Sequence, residues 1–131
     1  MRNSTSLKIR QAVITNQAIA ASKAKDYAQA LNLFKEALNI KLSIPDFIRG
    51  GTEIASGFKN LAIIQKIVEH FDEAIINFKK ALDIYRGLYK GVNQDVADTL
   101  FDLAYCYYMS NDYIRAYKAY SEAEESLIMS F

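Results

Sequence analysis

Two residue types that often carry out chemistry occur once each in the 131-residue sequence, as Cys106 and His70. A cysteine needs a neighbouring base to become a nucleophile, and a histidine needs further ligands to hold a metal ion. His70 falls at a turn signal, whereas Cys106 stands inside an apolar helical pattern, where a small side chain packs well. The sequence therefore favours a buried structural thiol over a nucleophile, and it predicts no metal site.

Two short segments match ligand-binding motifs only in part. The run EAEE at 122–125 gathers carboxylates, but on a helix surface, without oxygen ligands from a turn, such carboxylates are usually solvated. The segment RGGTE at 49–53 has paired glycines ahead of a helix but lacks the lysine of a phosphate-binding loop. We therefore expect no cofactor and no catalytic residue, so the chain is not expected to be an enzyme.

The charge balance argues against some classes of partner. The chain has 16 Lys and Arg residues against 15 Asp and Glu residues, which gives a formal net charge of +1. Such a chain has no bulk attraction to nucleic acid, and Asp98 and Asp102 would repel phosphates from the tyrosines near them. We expect a protein or peptide partner and no nucleic acid.

Hydrophobicity gives no membrane or export signal. Every apolar run is far shorter than the roughly 20 residues that span a bilayer. The first segment, MRNSTSLKIRQAVITNQ, lacks the uninterrupted apolar stretch of a secretory signal. We expect no membrane insertion and a cytoplasmic location.

Almost the whole chain has the spacing of amphipathic helices. Apolar residues recur three and four positions apart, as at Leu61, Ile64 and Val68, and period-two alternation is nowhere sustained. The only proline and four of the five glycines fall within two interruptions, at 45–51 and 87–91. The pattern predicts an all-α fold.

The two interruptions separate three segments of the chain, and a shorter turn signal inside each segment divides it into a pair of helices. In each signal a polar pair precedes an aromatic residue that opens the next apolar pattern, as in MSNDY at 109–113. The sequence therefore predicts six antiparallel helices in three hairpins. Their approximate bounds are 6–24 with 27–43, 52–69 with 72–88, and 94–110 with 113–128.

The second helix of each hairpin repeats one arrangement of aromatic, small, aromatic and small residues on a single face. The three copies are Tyr27, Ala30, Phe34 and Ala37; Phe71, Ala74, Phe78 and Ala81; and Tyr113, Ala116, Tyr120 and Ala123. They are offset by 44 and then by 42 residues, so one hairpin is one repeat. Small residues, including Ala18, Ala62 and Ala104 of the preceding helices, let the two helices approach. We expect the aromatic positions, with Tyr107, to belong to the core.

This arrangement of aromatic and small residues, which we call the frame, resembles the tetratricopeptide repeat over essentially the whole chain. The segment VADTLFDLAYCYYMSNDYIRAYKAYSEA (96–123) is similar to the longer-repeat subclass of kinesin light chains. The chain departs from the family at the hairpin turns, where Lys25, Glu69 and Asn111 replace the usual glycine. The resemblance implies a right-handed α-solenoid that binds proteins, with residues 1–131 as one domain. It does not identify the partner, because the motif encodes packing.

The resemblance also implies a concave groove lined by the first helix of each hairpin. Helical phase assigns the lining residues of the third hairpin, and the repeat offsets transfer them to the other two. The expected partner-binding residues are Asn16, Ile19, Lys23, Lys59, Asn60, Ile63, Lys66, Asp98, Phe101, Asp102, Tyr105 and Tyr108.

One groove position is occupied by Asn16, Asn60 and Asp102 in the three hairpins. In peptide-binding members of the family, an asparagine matching this position can pair with a peptide backbone, because its amide offers both a donor and an acceptor. Asn16 and Asn60 fit that role or are simply solvated. Lysines in one half of the groove, and Asp98 and Asp102 in the other, would suit a peptide of mixed charge. Exposed aromatic residues such as Tyr105 often anchor interfaces.

A second hypothesis is a homo-oligomer, or a fragment of a larger multi-repeat regulatory protein. The family often adds a polar helix that covers the last apolar face, and none is visible after the third hairpin. Apolar residues there would then contact another copy or further repeats. The expected residues of this face are Tyr117, Tyr120, Leu127, Ile128 and Phe131.

Overall fold

The computed structural model describes residues 4–91 and 93–129, and within these ranges the chain forms seven α-helices and no strand. Six of them are the predicted helices, which confirms the all-α class and the three-hairpin arrangement. The helices are α1 (Ser4–Lys23), α2 (Tyr27–Lys41), α3 (Pro45–Gly50), α4 (Thr52–Ile67), α5 (Phe71–Leu88), α6 (Gln94–Met109) and α7 (Tyr113–Met129).

The short helix α3 is the difference from the predicted count of six. It occupies most of the interruption at 45–51. Pro45 opens it, because the fixed φ of proline suits the first helical position and its missing N–H is not needed there. The preceding Ile44 is extended and fully buried, and α3 packs against α4. Gly51 follows α3 with a φ of +83° and leads directly into α4.

All three hairpin turns have the same geometry although none contains the usual glycine. Lys25, Glu69 and Asn111 adopt left-handed φ values of 63°, 67° and 64°. Each donates its N–H to the carbonyl three residues earlier, and the next residue donates to the carbonyl five residues earlier, as in a Schellman motif. These bonds satisfy carbonyl groups at the ends of α1, α4 and α6, and they let the chain reverse within three residues.

Replacing Glu69 by glycine is expected to stabilise the protein by about 0.5–1 kcal/mol, because glycine adopts positive φ without the strain of a Cβ atom. The change also removes a negative charge from the negative end of α4. Lys25→Gly should gain less, since a lysine charge is favourable there, and Asn111→Gly should gain least, since asparagine tolerates this conformation. Urea unfolding measures this order, and a destabilised Glu69→Gly variant would contradict it.

Small residues hold the two helices of each hairpin together, as predicted. Ala18, Ala62 and Ala104, on the first helices, are fully inaccessible to solvent. The facing small residues of the second helices are also buried: Ala30, Ala37, Ala74, Ala81, Ala116 and Ala123. The aromatic positions are less uniform. Tyr107 is half-buried, and the prediction that Tyr113 and Tyr120 belong to the core is wrong. They are 57% and 38% exposed, because α7 is the last described helix and no further hairpin of the described chain packs on it.

The hairpins stack through α2 against α4 and through α5 against α6. One buried apolar cluster lies between the first and second hairpins, and a larger one lies between the second and third. Phe58 borders both clusters, and Phe78 is wholly buried in the larger one. Each hairpin therefore completes its core only with a neighbour, as expected for a solenoid.

Candidate partner-binding groove

The predicted groove residues lie on α1, α4 and α6, and all of them are at least partly accessible to solvent. Residues one helix face away, such as Ala18 and Ala62, are buried inside the hairpins. The helical phase thus separates a packed face from an accessible face, as the sequence indicates. Binding by these residues stays a prediction.

The first cavity of the groove lies between α1 and α4 and has a volume of about 210 Å³. Its lining residues are Ile19, Ser22, Lys23, Phe34, Asn60, Ile63 and Ile64. Four of the seven are apolar, and Lys23 is the one charged group among them. The Asn60 side-chain amide has no hydrogen-bond partner in the part of the chain that the structure describes. This cavity can therefore seat an apolar side chain beside a free amide.

The second cavity lies between α4 and α6, near the start of α5, with a volume of about 310 Å³. It is lined by Lys66, Ile67, Glu69, Phe71 and Tyr105. Tyr105 is 42% exposed, and its ring packs edge-on against Phe71 with centroids 6.2 Å apart. Lys66 Nζ lies 5.9 Å from the Tyr105 centroid, which holds the ring between a cation and a second aromatic. Tyr105 is thus a supported aromatic surface at the edge of the cavity.

The structure pairs two groove residues that the sequence placed in opposite charged halves. Lys66 Nζ lies 2.8 Å from the Asp102 carboxylate, and both side chains are only 24% exposed. The pair links α4 to α6 and leaves little free charge at either residue. Asp98 also has a local partner, since its carboxylate accepts a hydrogen bond from Gln94 Nε2 at 2.8 Å.

The remaining predicted groove residues are spread over a wider surface. Phe101 and Tyr108 contact the last helix, with Phe101 6.3 Å from Tyr120 and Tyr108 5.5 Å from Tyr113 between ring centroids. Asn16 and Lys59 are accessible but line neither of the two cavities. The groove therefore consists of two cavities, with the Lys66–Asp102 pair beside the second.

A third cavity, of about 240 Å³, lies between α5 and α7 over α6, and it was not predicted from the sequence. Its floor includes Leu82, Leu100 and Leu103. Four cations and two acids surround this floor: Lys79, Arg86, Arg115, Lys118, Asp83 and Glu122. The available signal was the spacing of the cations, seven residues apart on α5 and three apart on α7. Only the packing of both helices against α6 brings the two pairs of cations to one cavity.

The single cysteine is a packed core residue. Cys106 is fully buried, and burial raises the pKa of its thiol to about 11. The nucleophilic form of cysteine is the thiolate, so the native side chain is both inaccessible and protonated near neutral pH. His70, the single histidine, is exposed and occupies the N-cap position of α5, but its side chain makes no capping hydrogen bond.

Native Cys106 is expected to resist an aromatic disulfide reagent at about pH 8 and to react only as fast as the protein unfolds. The thiolate is favoured in the unfolded chain, whose cysteine pKa is about 8.5, so stability should fall as the pH rises from about 9 towards 11. Thiol release recorded with and without urea checks this. Immediate reaction of the native protein would contradict the burial of the thiol.

Other features of the described residues concern metal ions and membranes. Within residues 4–91 and 93–129 no group of three or more His, Cys, Asp and Glu side chains is arranged to hold a metal ion. Across the same ranges, none of the helices is both long enough and apolar enough to cross a bilayer.

Solved structures of other proteins have a similar fold. The TPR domain of Arabidopsis FLU matches with a TM-score of 0.81 and 18% identity, covering 94% of this chain and 98% of that domain. The crystal structure of BtubC (BKLC) from P. vanneervenii matches with a TM-score of 0.79 and 21% identity. That match covers 92% of this chain but only 47% of BtubC, so the chain spans about half the length of that protein.

Sequence comparison identifies the repeat type. No curated protein is similar enough to this chain to count as a relative. A family model described as tetratricopeptide repeat matches residues 53–128, which is more than half of the chain and includes the second and third hairpins. The first hairpin lies outside that match but has the same turn geometry and buried alanines. The chain belongs to the tetratricopeptide repeat family.

Proposed function

We propose that this chain is a non-catalytic module, located in the cytoplasm, that binds an extended segment of another protein in the groove formed by α1, α4 and α6. Tetratricopeptide repeat domains are in general protein-interaction modules. The observation that carries the proposal is the first cavity, where a largely apolar lining lies beside the unpaired Asn60 amide. An amide without a partner is well suited to a peptide backbone, which offers a donor and an acceptor together.

The cavities indicate the chemistry of the bound segment. An apolar side chain would occupy the first cavity, where Lys23 favours an acidic neighbour. In the second cavity Tyr105 provides a ring surface, and Glu69 favours a basic residue. Because Lys66 and Asp102 already pair, they contribute little to the charge that the partner meets. The preferred partner is therefore a segment of mixed charge with an apolar anchor.

The test is a double substitution, Asn60→Ala with Tyr105→Ala. Peptides are first selected from a displayed random library on the wild-type chain, and their affinities are then measured by fluorescence anisotropy. We expect the double variant to bind about 30-fold more weakly or worse, since hot-spot residues at an interface contribute about 2 kcal/mol or more.

A matched control separates groove contacts from general surface effects. The variant Asn32→Ala with Ile76→Ala removes an asparagine and a large apolar side chain from exposed positions on α2 and α5, away from the groove and from both ends of the stack. It should retain wild-type affinity, with unchanged helical content by circular dichroism. Equal affinities of the two double variants for every selected peptide would rule out the groove as the binding surface.

A further inference from the structure

The outer face of α1 is equivalent to helix faces that are buried elsewhere in the molecule. On each of α4 and α6, four of the buried residues are spaced three, four and three positions apart and share one face. They are Ile54, Gly57, Leu61 and Ile64 in α4, and Val96, Thr99, Leu103 and Cys106 in α6. At the corresponding positions, α1 has Arg10, Val13, Gln17 and Ala20, all exposed. We call these four residues the N-face. It is the surface on which a preceding hairpin would pack.

The outer face of α7 shows the same relation at the opposite end. Tyr120 corresponds to Phe34 and Phe78, which are 6% and 0% exposed, yet Tyr120 is 38% exposed. Tyr117 corresponds to the half-buried Ile75 and is 73% exposed. We call Tyr117, Tyr120 and the exposed Glu124 the C-face. It is the surface on which a following hairpin would pack.

The joint between the first two hairpins defines how such faces meet. Lys41 Nζ lies 3.2 Å from the Glu53 carboxylate. One turn earlier on α2, Leu38 packs so closely on Gly57 that a Cβ atom there would lie 2.9 Å from Leu38 Cδ1. The earlier residue of α2, Leu38, contacts the later residue of α4, Gly57, and Lys41 contacts Glu53. The two helices therefore pack antiparallel in a defined register.

The repeat offsets transfer this register to a contact between two copies of the chain. Glu124 takes the place of Leu38, and Val13 takes the place of Gly57. Glu124 of one copy then lies opposite Val13 of the next, one helical turn from Arg10. The charged side chains of Glu124 and Arg10 thus come within one helical turn of each other across the contact, where the internal joint has the apolar Leu38 and Ile54.

The neighbouring position changes in the opposite sense. Lys41 and Glu53, the charged pair of the internal joint, correspond to Leu127 and Ile9. Ile9 is 60% exposed, so it is accessible to an apolar partner. Leu127 and Ile9 therefore form an apolar contact where the internal joint has a charged pair, next to the position where Glu124 lies one turn from Arg10.

Arg10 is available for this contact. Its only close carboxylate among the described residues is Glu36, at 3.7 Å, with side chains 65% and 48% exposed. Exposed pairs of this kind contribute little. A tail-to-tail contact between two C-faces would instead bring Glu124 towards the same residue of the other copy, and like charges oppose such a contact.

We propose that the chain associates head to tail, with the C-face of one copy packed on the N-face of the next. Such an interface is heterologous, so it extends into an open array or closes into a ring. The array would continue the groove from copy to copy and would offer several grooves to one partner. This proposal does not depend on what the groove binds.

The test uses charge reversal in the full chain, followed by light scattering and sedimentation from micromolar to millimolar concentration. The wild type should exceed the monomer mass of 14.8 kDa as its concentration rises. R10E and E124R should each weaken association about tenfold or more, and the double variant R10E/E124R should restore it, because the opposite charges meet again in reverse.

Three results would overturn the proposal. The first is a wild type that stays monomeric throughout, which would leave these faces to another protein or to further repeats. The second is R10E without effect while E124R changes the mass, which would indicate tail-to-tail contact. The third is a double variant that fails to recover. The groove variant Asn60→Ala with Tyr105→Ala is the matched control and should associate like the wild type, with circular dichroism confirming that all variants fold.

Discussion

Replacing Phe78 by alanine is expected to lower the free energy of unfolding by about 3–5 kcal/mol. Phe78 is wholly buried in the larger apolar cluster, between the second and third hairpins. Its removal would leave a cavity in the joint on which the stacking of these hairpins depends, and the surrounding helices can close it only in part. Urea denaturation monitored by circular dichroism measures the loss.

The chain contains its own control for this prediction. Tyr120 occupies the same repeat position 42 residues later, but it is 38% exposed. Tyr120→Ala, measured in dilute monomer, should therefore cost about 1 kcal/mol. Equal losses at Phe78 and Tyr120 would mean that repeat position, and not burial between hairpins, sets the energy.

Ala74→Leu is expected to destabilise the protein by about 1–3 kcal/mol. Ala74 on α5 and Ala62 on α4 are both fully buried where the two helices of the second hairpin meet. Added methylene groups have no space there, so the helices must move apart or the new side chain must leave its preferred rotamer. Thermal unfolding would show the change as a lower Tm.

The control is Ala28→Leu, at an exposed position of α2. Both substitutions keep a good helix former, so helix propensity contributes little to the difference between them. Ala28→Leu should change stability by no more than about 0.5 kcal/mol. A similarly large loss at Ala28 would assign the effect at Ala74 to something other than close helix packing.

The two proposed surfaces have separate roles. The groove residues Asn60 and Tyr105 lie on α4 and α6, in the first and second cavities, whereas Arg10 and Glu124 lie on α1 and α7 at opposite ends of the stack. Substitutions in one set can therefore change partner binding, and substitutions in the other can change mass. If both proposals hold, weak binding to one groove becomes stronger in the assembled array through effective concentration.

Much of the fold is predictable from local pattern. The alanines Ala18, Ala62 and Ala104, fully buried in the structure, follow from the repeat, because each stands 12 residues before the first frame alanine of the next helix. The turns were also located correctly, although Lys25 and Glu69 are not turn residues by type, because a polar pair before an aromatic residue marks the start of the next helix.

Other features depended on how the helices pack. Helix α3 was missed because a proline and paired glycines usually indicate a loop. The complete burial of Ile44 just before it becomes evident only from the tertiary structure. Tyr120 has the same repeat spacing as the buried Phe34 and Phe78, so the pattern could not show that Tyr120 is exposed. The same holds for Tyr113, whose equivalents Tyr27 and Phe71 are half-buried.

The spacing of residues along the chain was enough to assign them to helix faces and to find the repeated hairpin, because helical phase depends only on spacing. Three features became evident from the packed helices: Lys66 pairs with Asp102, the groove divides into two cavities, and cations gather between α5 and α7. Those features join side chains on different helices. Their distances depend on how closely and in what register the helices pack, and a single sequence carries no direct record of either.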